Sequence, residues 1–334
     1  MNTMHERPGV YLDEEGSGLV WSADGKAVGI VAKAEKGTAN QIYAVSYPSD
    51  AQTLFGDCTL AALCTAALQN GASKVLAVPV GTDYAQAFAL LEEEDICALV
   101  SDSLVESDGR KLVESVENSL KLGWERLGAL ACPVENPASW VESLESDRLL
   151  ITAQTGVDEN GEALPAATVS AALAGLVARF TSGEETVNGA ALYGISGLDR
   201  SLGEDGIDEL VRSGITPLEE LDGVVRVVRA VVTQKEGGFC ELFTRLAVDQ
   251  TISAVRSALK AMLPGRKNTA ASRSALAAQA AIVLERQRRA GWLESFDPPR
   301  VTAHETDPAM CVAQVAFTVA QGLNRILLSV SIHV

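Results

Sequence analysis

Lys74-Val75-Leu76-Ala77-Val78-Pro79-Val80, then Asp83 to Glu93, then Ile96-Cys97-Ala98-Leu99-Val100, takes the chain from one apolar run through an amphipathic stretch into a second apolar run. An unbroken apolar run reads as a strand buried on both faces, and an amphipathic stretch between two such runs reads as a helical crossover of a parallel sheet. The alternation continues, with Ser107 to Leu122 as a helix, Arg126 to Ala131 as a strand, Pro137 to Leu144 as a helix and Leu149 to Thr152 as a strand. Upstream, Ala27 to Ala32 is a strand, Ser49 and Asp50 cap a short helix ending at Gly56, and Thr59 to Gln69 is a helix stopped by Asn70-Gly71. The expected fold class is α/β in this half, with a mostly parallel sheet, and α+β over the whole chain.

Beyond residue 150 the pattern changes. Ala166 to Phe180 is an alanine-rich helix whose small residues pack tightly against neighbours, and Asp205 to Arg212 is a short helix ended by Gly214. Gly223 to Thr233 is the longest strand candidate, interrupted by Arg226 and Arg229, which mark an edge. Two long helices, Arg245 to Met262 and Ala270 to Ala290, are separated by Pro264-Gly265, and the chain closes with strands at Cys311 to Val319 and Ile326 to Val334. In the last run Ile326, Leu328, Val330, Ile332 and Val334 fall at every second position, the period of a strand with one buried face. Near the start, Pro8, Gly9, Val10, Tyr11 and Leu12 form a short extended stretch led by a proline. A terminal strand is most often tucked into its own domain. Left unpaired, it is a template for another chain, and both ends read as arms that pair in a neighbouring subunit.

At 334 residues, 47% hydrophobic and 21% charged, the chain can bury a real core, and only 5% of it is aromatic. No basic segment followed by an apolar core opens it, and no apolar run is long enough to span a bilayer. Six scattered cysteines without a CxxC pair argue against a disulfide framework or zinc site and point to a reducing cytoplasm. The net charge of −17 is unevenly spread. Residues 1–220 hold 35 acids and 13 bases, whereas residues 221–334 hold 9 acids and 14 bases. Between Arg256 and Arg289 eight basic residues face one acid, Glu285, so the two halves meet different surroundings or the segment is a solvated helix face. Nucleic acid is a poor partner, since the overall acidity opposes a polyanion and no aromatic platform interleaves the bases.

An α/β layer raises the alternative of a nucleotide-binding enzyme, which needs a glycine-rich turn between strand and helix. The junctions Val80-Gly81-Thr82-Asp83 and Val100-Ser101-Asp102-Ser103 hold neither GxGxxG nor GxxxxGK[ST], and Asp83 and Asp102 read as capping or loop acids. The three histidines, His5, His304 and His333, have no metal-ligand spacing, and no GxSxG elbow is present. No catalytic, cofactor or metal residue is assigned, and no cofactor is expected.

With these residues in view, the sequence resembles the tail sheath proteins of contractile phage tails and phage-tail-like bacteriocins. The resemblance rests on Pro8-Gly9-Val10-Tyr11, Asn70-Gly71-Ala72, Ala171-Ala172-Leu173-Ala174-Gly175 and, most specifically, Gly214-Ile215-Thr216-Pro217-Leu218 followed by Val227 to Thr233. Arg245, Asp249, Arg256, Gly265-Arg266-Lys267-Asn268 and Gly291 continue it in order. It implies a structural protein, not an enzyme: hexameric rings of this chain stack helically around an inner tail tube, with baseplate and tail terminator proteins as further partners and no insertion into membrane. It also implies a layout of N-terminal arm (1–24), outer α/β domain (25–220), inner C-terminal sheath domain (221–324) and C-terminal β-arm (325–334). Assembly would take place in a bacterial host cytoplasm, as part of a virion tail or a released particle. Within the basic segment, Lys260, Arg266 and Lys267 flank the Pro264-Gly265 turn and are the expected tube-facing residues.

Overall fold

The central sheet is apolar almost throughout because helices cover both of its faces. A computed structural model describes residues 26–132, 137–180, 183, 185–235, 237–322 and 324. In chain order the first part holds β1 (Ala27–Ala32), β2 (Tyr43–Val45), α1 (Pro48–Phe55), α2 (Thr59–Gln69), β3 (Lys74–Pro79), α3 (Tyr84–Ala89), β4 (Ile96–Ser101), α4 (Glu106–Lys121), β5 (Leu127–Ala131), α5 (Ala138–Ser143) and β6 (Leu149–Thr152). The six strands lie in the order β2-β3-β1-β4-β5-β6, all parallel except β2, which runs antiparallel at one edge. Residues alternate between the faces, so Val28, Ile30 and Ala32 join one core while Ala27 and Val31 join the other.

After β7 (Gly156–Val157), α6 (Thr168–Arg179) crosses the first of these faces beside α2. The small residues foreseen there bring backbones together: a Cβ on Gly175 would lie 2.2 Å from the carbonyl oxygen of Ala67. The helices α3 and α4 pack on the opposite face, where Phe88, Leu112 and Val116 join Trp140 of α5. The expected helix from Asp83 to Glu93 is shorter, because α3 stops at Ala89 and the acids Glu92 to Asp95 lie in turns.

β8 (Gly197–Leu198) pairs with β7, and α7 (Glu204–Arg212) leads into β9 (Leu218–Leu221) and β10 (Val224–Val227). These last two form an antiparallel hairpin, so the single long strand expected over Gly223 to Thr233 is not formed. The cause is the Asp222-Gly223 pair, whose φ values of 53° and 73° make a two-residue turn that matches the twist of the flanking strands.

The last part begins with α8 (Leu242–Met262) and α9 (Ala270–Arg289), packed on each other. Four strands follow: β11 (Leu293–Phe296), β12 (Arg300–Ala303), β13 (Cys311–Gln314) and β14 (Phe317–Val319). The expected strand from Cys311 to Val319 is therefore divided in two, and the preceding pair of strands was not expected. β12 pairs with β13 and β11 with β14, and Asp297 donates its N–H to Ala316 between them, so the four pieces form one two-stranded ribbon. The break coincides with Asp297-Pro298-Pro299, since proline supplies no ladder N–H. One side of the ribbon rests on α9 through Phe296, Val301 and Phe317, next to a core in which Phe243 and Trp292 stack at 5.7 Å.

Candidate functional site

With β2 set aside, the parallel strands run β3-β1-β4-β5-β6, a doubly wound order whose switch point lies between β1 and β4. Ligands of such sheets sit beyond the strand C-termini at that point. Here the Asp102 carboxylate spans the gap, accepting the Lys33 N–H at 3.0 Å and the Tyr84 hydroxyl at 2.6 Å. Burial, with Asp102 adding to it, holds the Tyr84 hydroxyl in its protonated form far above the usual phenol range. Asp83 caps α3 through the Ala85 N–H and pairs with Lys111 at 2.9 Å, the capping role expected from sequence. Its carboxyl is lowered chiefly by the hydrogen bond from Lys111. A backbone N–H that would meet a phosphate is thus already engaged by a carboxylate. Among the described residues no group of three or more His, Cys, Asp or Glu side chains is arranged to hold a metal, and no helix is long and apolar enough to cross a membrane. Cys64, Cys97 and Cys132 are buried in the core, Cys58 and Cys311 are half-buried and pack against it, and Cys240 is half-buried.

The strongest electrostatic feature lies where α8 meets the sheet. Arg148, directly before β6, places two guanidinium nitrogens on Asp249 of α8 at 2.7 and 3.1 Å. Asp249 is shared with Arg245, 2.8 Å away at Nε, and Arg245 also reaches Asp147 at 2.8 Å. Two turns further along α8 the side chain of Arg256 meets Glu125, just ahead of β5, at 3.2 Å. Arg148, Arg245, Asp249, Arg256 and Glu125 are all less than 9% exposed. Arg256 is therefore an internal strut, so the reading of the whole Arg256–Arg289 segment as a solvated helix face does not hold at its first residue. At the far end of α9, Arg288 and Arg289 both bind Glu285, whose carboxyl they hold down at about 2.

Lys260, Arg266 and Lys267 are exposed together around the turn between α8 and α9, where Gly265 adopts φ 74°. Sequence reasoning missed what lies beside them. Asn268 donates to the carbonyls of Pro308 and Met310, both at 2.9 Å, which holds the loop between β12 and β13 against the helical turn. That loop carries Glu305 and Asp307, so the tip is of mixed charge.

The ribbon has two strands and, among the described residues, no strand on either outer edge. Near its end Asn324 is held by Asn188 at 2.8 Å and by Glu241 at 3.4 Å, beside an open cleft of about 440 Å³. Glu241 is in turn gripped by Arg229, and the Asn188 side chain accepts the Ala230 N–H at 2.8 Å. The expected arm residues Pro8, Gly9, Val10, Tyr11, Leu12, Ile326, Leu328, Val330, Ile332 and Val334 lie outside the described residues.

No protein-family model matches this sequence, and no curated protein matches it significantly. Solved structures that share its fold include tail sheath proteins. A chain of the anti-feeding prophage helical sheath in its contracted state matches with a TM-score of 0.75 at 19% identity, over 98% of this chain and 99% of that one. The sheath tail protein of Listeria innocua gives 0.72 at 12% identity, over 91% and 97%. That of Desulfitobacterium hafniense gives 0.70 at 11% identity, over 93% and 100%. At these identities the likeness is one of fold.

Proposed function

We propose that this chain is the subunit of a contractile tail sheath, a structural protein without catalysis. Hexameric rings of it stack helically around an inner tube and shorten to drive the tube through a target cell envelope. The observation that carries this reading is the fold match to a contracted helical sheath along nearly the whole of both chains. A baseplate structure of the same prophage holds a chain of this fold at a TM-score of 0.75, which supports baseplate proteins as partners; a tail terminator completes the set. Assembly takes place in a bacterial host cytoplasm, and the product is a virion tail or a released particle. It requires neither nucleotide nor metal.

In this reading residues 1–24 and 325–334 are arms, 25–220 face outward and 221–324 face the tube. The ribbon is the acceptor: among the described residues no strand pairs with its outer edges, and an extended arm from a neighbouring subunit supplies the partner strand. Burying five apolar residues of the last strand stabilises by roughly 10 kcal/mol. Ordering its backbone costs about the same. One arm is marginal alone, so cohesion comes from several linked contacts per subunit.

Negative-stain microscopy of the chain co-assembled with its tube tests the reading, with striated sleeves of two lengths as the expected result. Truncations lacking residues 1–12 or 326–334 should keep a folded body by circular dichroism and lose polymerisation; long sleeves from the C-terminal truncation would end the arm model. A nucleotide-binding α/β enzyme is the second reading, favoured by the doubly wound strand order. Small soluble oligomers with nucleotide turnover, or contraction that strictly requires ATP or a divalent ion, would return it to first place.

A further inference from the structure

Asn268 uses its whole amide. Both amide protons go to carbonyls of the β12–β13 loop, and its oxygen accepts the Arg273 guanidinium at 2.8 Å. The other bonds of the loop among the described residues are local: His304 N–H to Met310 at 3.0 Å, Met310 N–H to Asp307 at 3.2 Å, the Asp307 and Thr306 N–H groups to the His304 ring at 3.2 and 3.4 Å, and the Ala309 N–H to the Asp307 carboxylate at 2.8 Å. The helical side of the tip is set independently, because Thr269 caps α9 by accepting the Ser272 N–H. Two segments some forty residues apart in sequence, one bearing Arg266 and Lys267 and the other Glu305 and Asp307, are thereby fastened side by side.

We infer that Asn268 is the positioning residue of a composite contact surface, in which helical turn and hairpin loop meet a protein partner together. This rests on the reading that the tip faces the tube. Each charge at an exposed tip contributes little alone, so the surface recognises its partner through the fixed spacing of bases from one segment and acids from the other. A partner that saw only the basic turn would be indifferent to where the loop sits.

Asn268→Asp is the discriminating variant. It keeps the volume and the Arg273 contact but turns both donors into acceptors, which face the Pro308 and Met310 carbonyls. Hydrogen exchange on the isolated subunit should show the His304 and Met310 amides opening at least tenfold faster, with β5 and β6 unchanged. Assembly on the tube should fall as far as in the triple reversal Lys260→Glu, Arg266→Glu, Lys267→Glu, while tube-free polymerisation persists in both. Unchanged exchange in the loop overturns the clamp. A loosened loop with normal tube assembly, alongside a defective triple reversal, overturns the positioning role. Normal tube assembly in the triple reversal overturns the tube-facing reading itself, and the inference with it.

Discussion

The central sheet and the C-terminal ribbon are both β structure backed by helices, but they treat their edges differently. On one side the sheet ends in β2, only three residues long. On the other, β6 is overlaid by chain that arrives later: Thr216 donates its N–H to Ile151 and Thr233 to Leu149. The ribbon has comparable strands and no such cover among the described residues. In the proposed sheath, the closed edges would serve cohesion within the subunit, and the ribbon, with no strand on its outer edges among the described residues, would serve attachment between subunits.

The hardest test of that division is Asp249→Ala. It strips one carboxylate from two buried guanidiniums, Arg148 and Arg245, at the closed edge of the sheet. Urea unfolding should show a loss of about 3–5 kcal/mol, the usual cost of orphaning a buried charge. A loss near zero would mean that the edge is held by backbone bonds alone. Gly175→Val comes next, because the added carbons have no room against Ala67. A loss of roughly 1–3 kcal/mol is expected in thermal unfolding, with hydrogen exchange in the ribbon unaffected.

A pH series examines the sheet alone. Burial pushes the Cys97 thiol up to about 12, from 9.0 in its unperturbed state. Above pH 9 the unfolded chain therefore loses this proton before the folded one does, the folded state binds more protons, and stability falls as pH rises. The contribution should reach roughly 1 kcal/mol by pH 10. Lys26, held down to about 8 by burial, pushes the opposite way over the same window. The measurement is thus the difference in slope between the wild type and Cys97→Ala, and equal slopes would contradict the burial argument.

The smallest effect on stability, and the most telling for the ribbon, is expected from Ala313→Pro. The His304–Met310 bond and the strand register put the Val301/Ala313 pair at a position where both N–H groups point away from the ribbon. Proline there should cost less than about 1 kcal/mol, as at other edge positions, yet prevent a neighbour's strand from pairing. Sleeves of normal length from this variant would show that the β13 edge is not used.

Sequence alone reached the sheet because its signals are local. α2 spans Thr59–Gln69 as read from its stop at Asn70-Gly71, and the apolar runs became the parallel strands. The valine run after Gly223 masked the Asp222-Gly223 turn, and the short, half-polar strands at Leu293–Phe296 and Arg300–Ala303 carry too weak an alternation to stand out. The roles of Arg245, Asp249 and Arg256 were hidden for another reason. Arg148 lies 101 residues from Asp249 and Glu125 lies 131 from Arg256, and a single sequence gives no sign of such pairings. The exposed Lys260, Arg266 and Lys267 were legible from Pro264-Gly265. The acids beside them were not, because the Asn268 clamp is a tertiary contact.

The meeting of Gly175 with Ala67 has a mechanical meaning. Where two helices touch backbone to backbone there is no rotamer to turn and no void to close, so the contact has little slack. Displacing α6 must carry α2 and the strands beneath it along, with almost no elastic loss. A sleeve built from such bodies, as proposed above, would be stiff within each subunit and compliant at the joints between them.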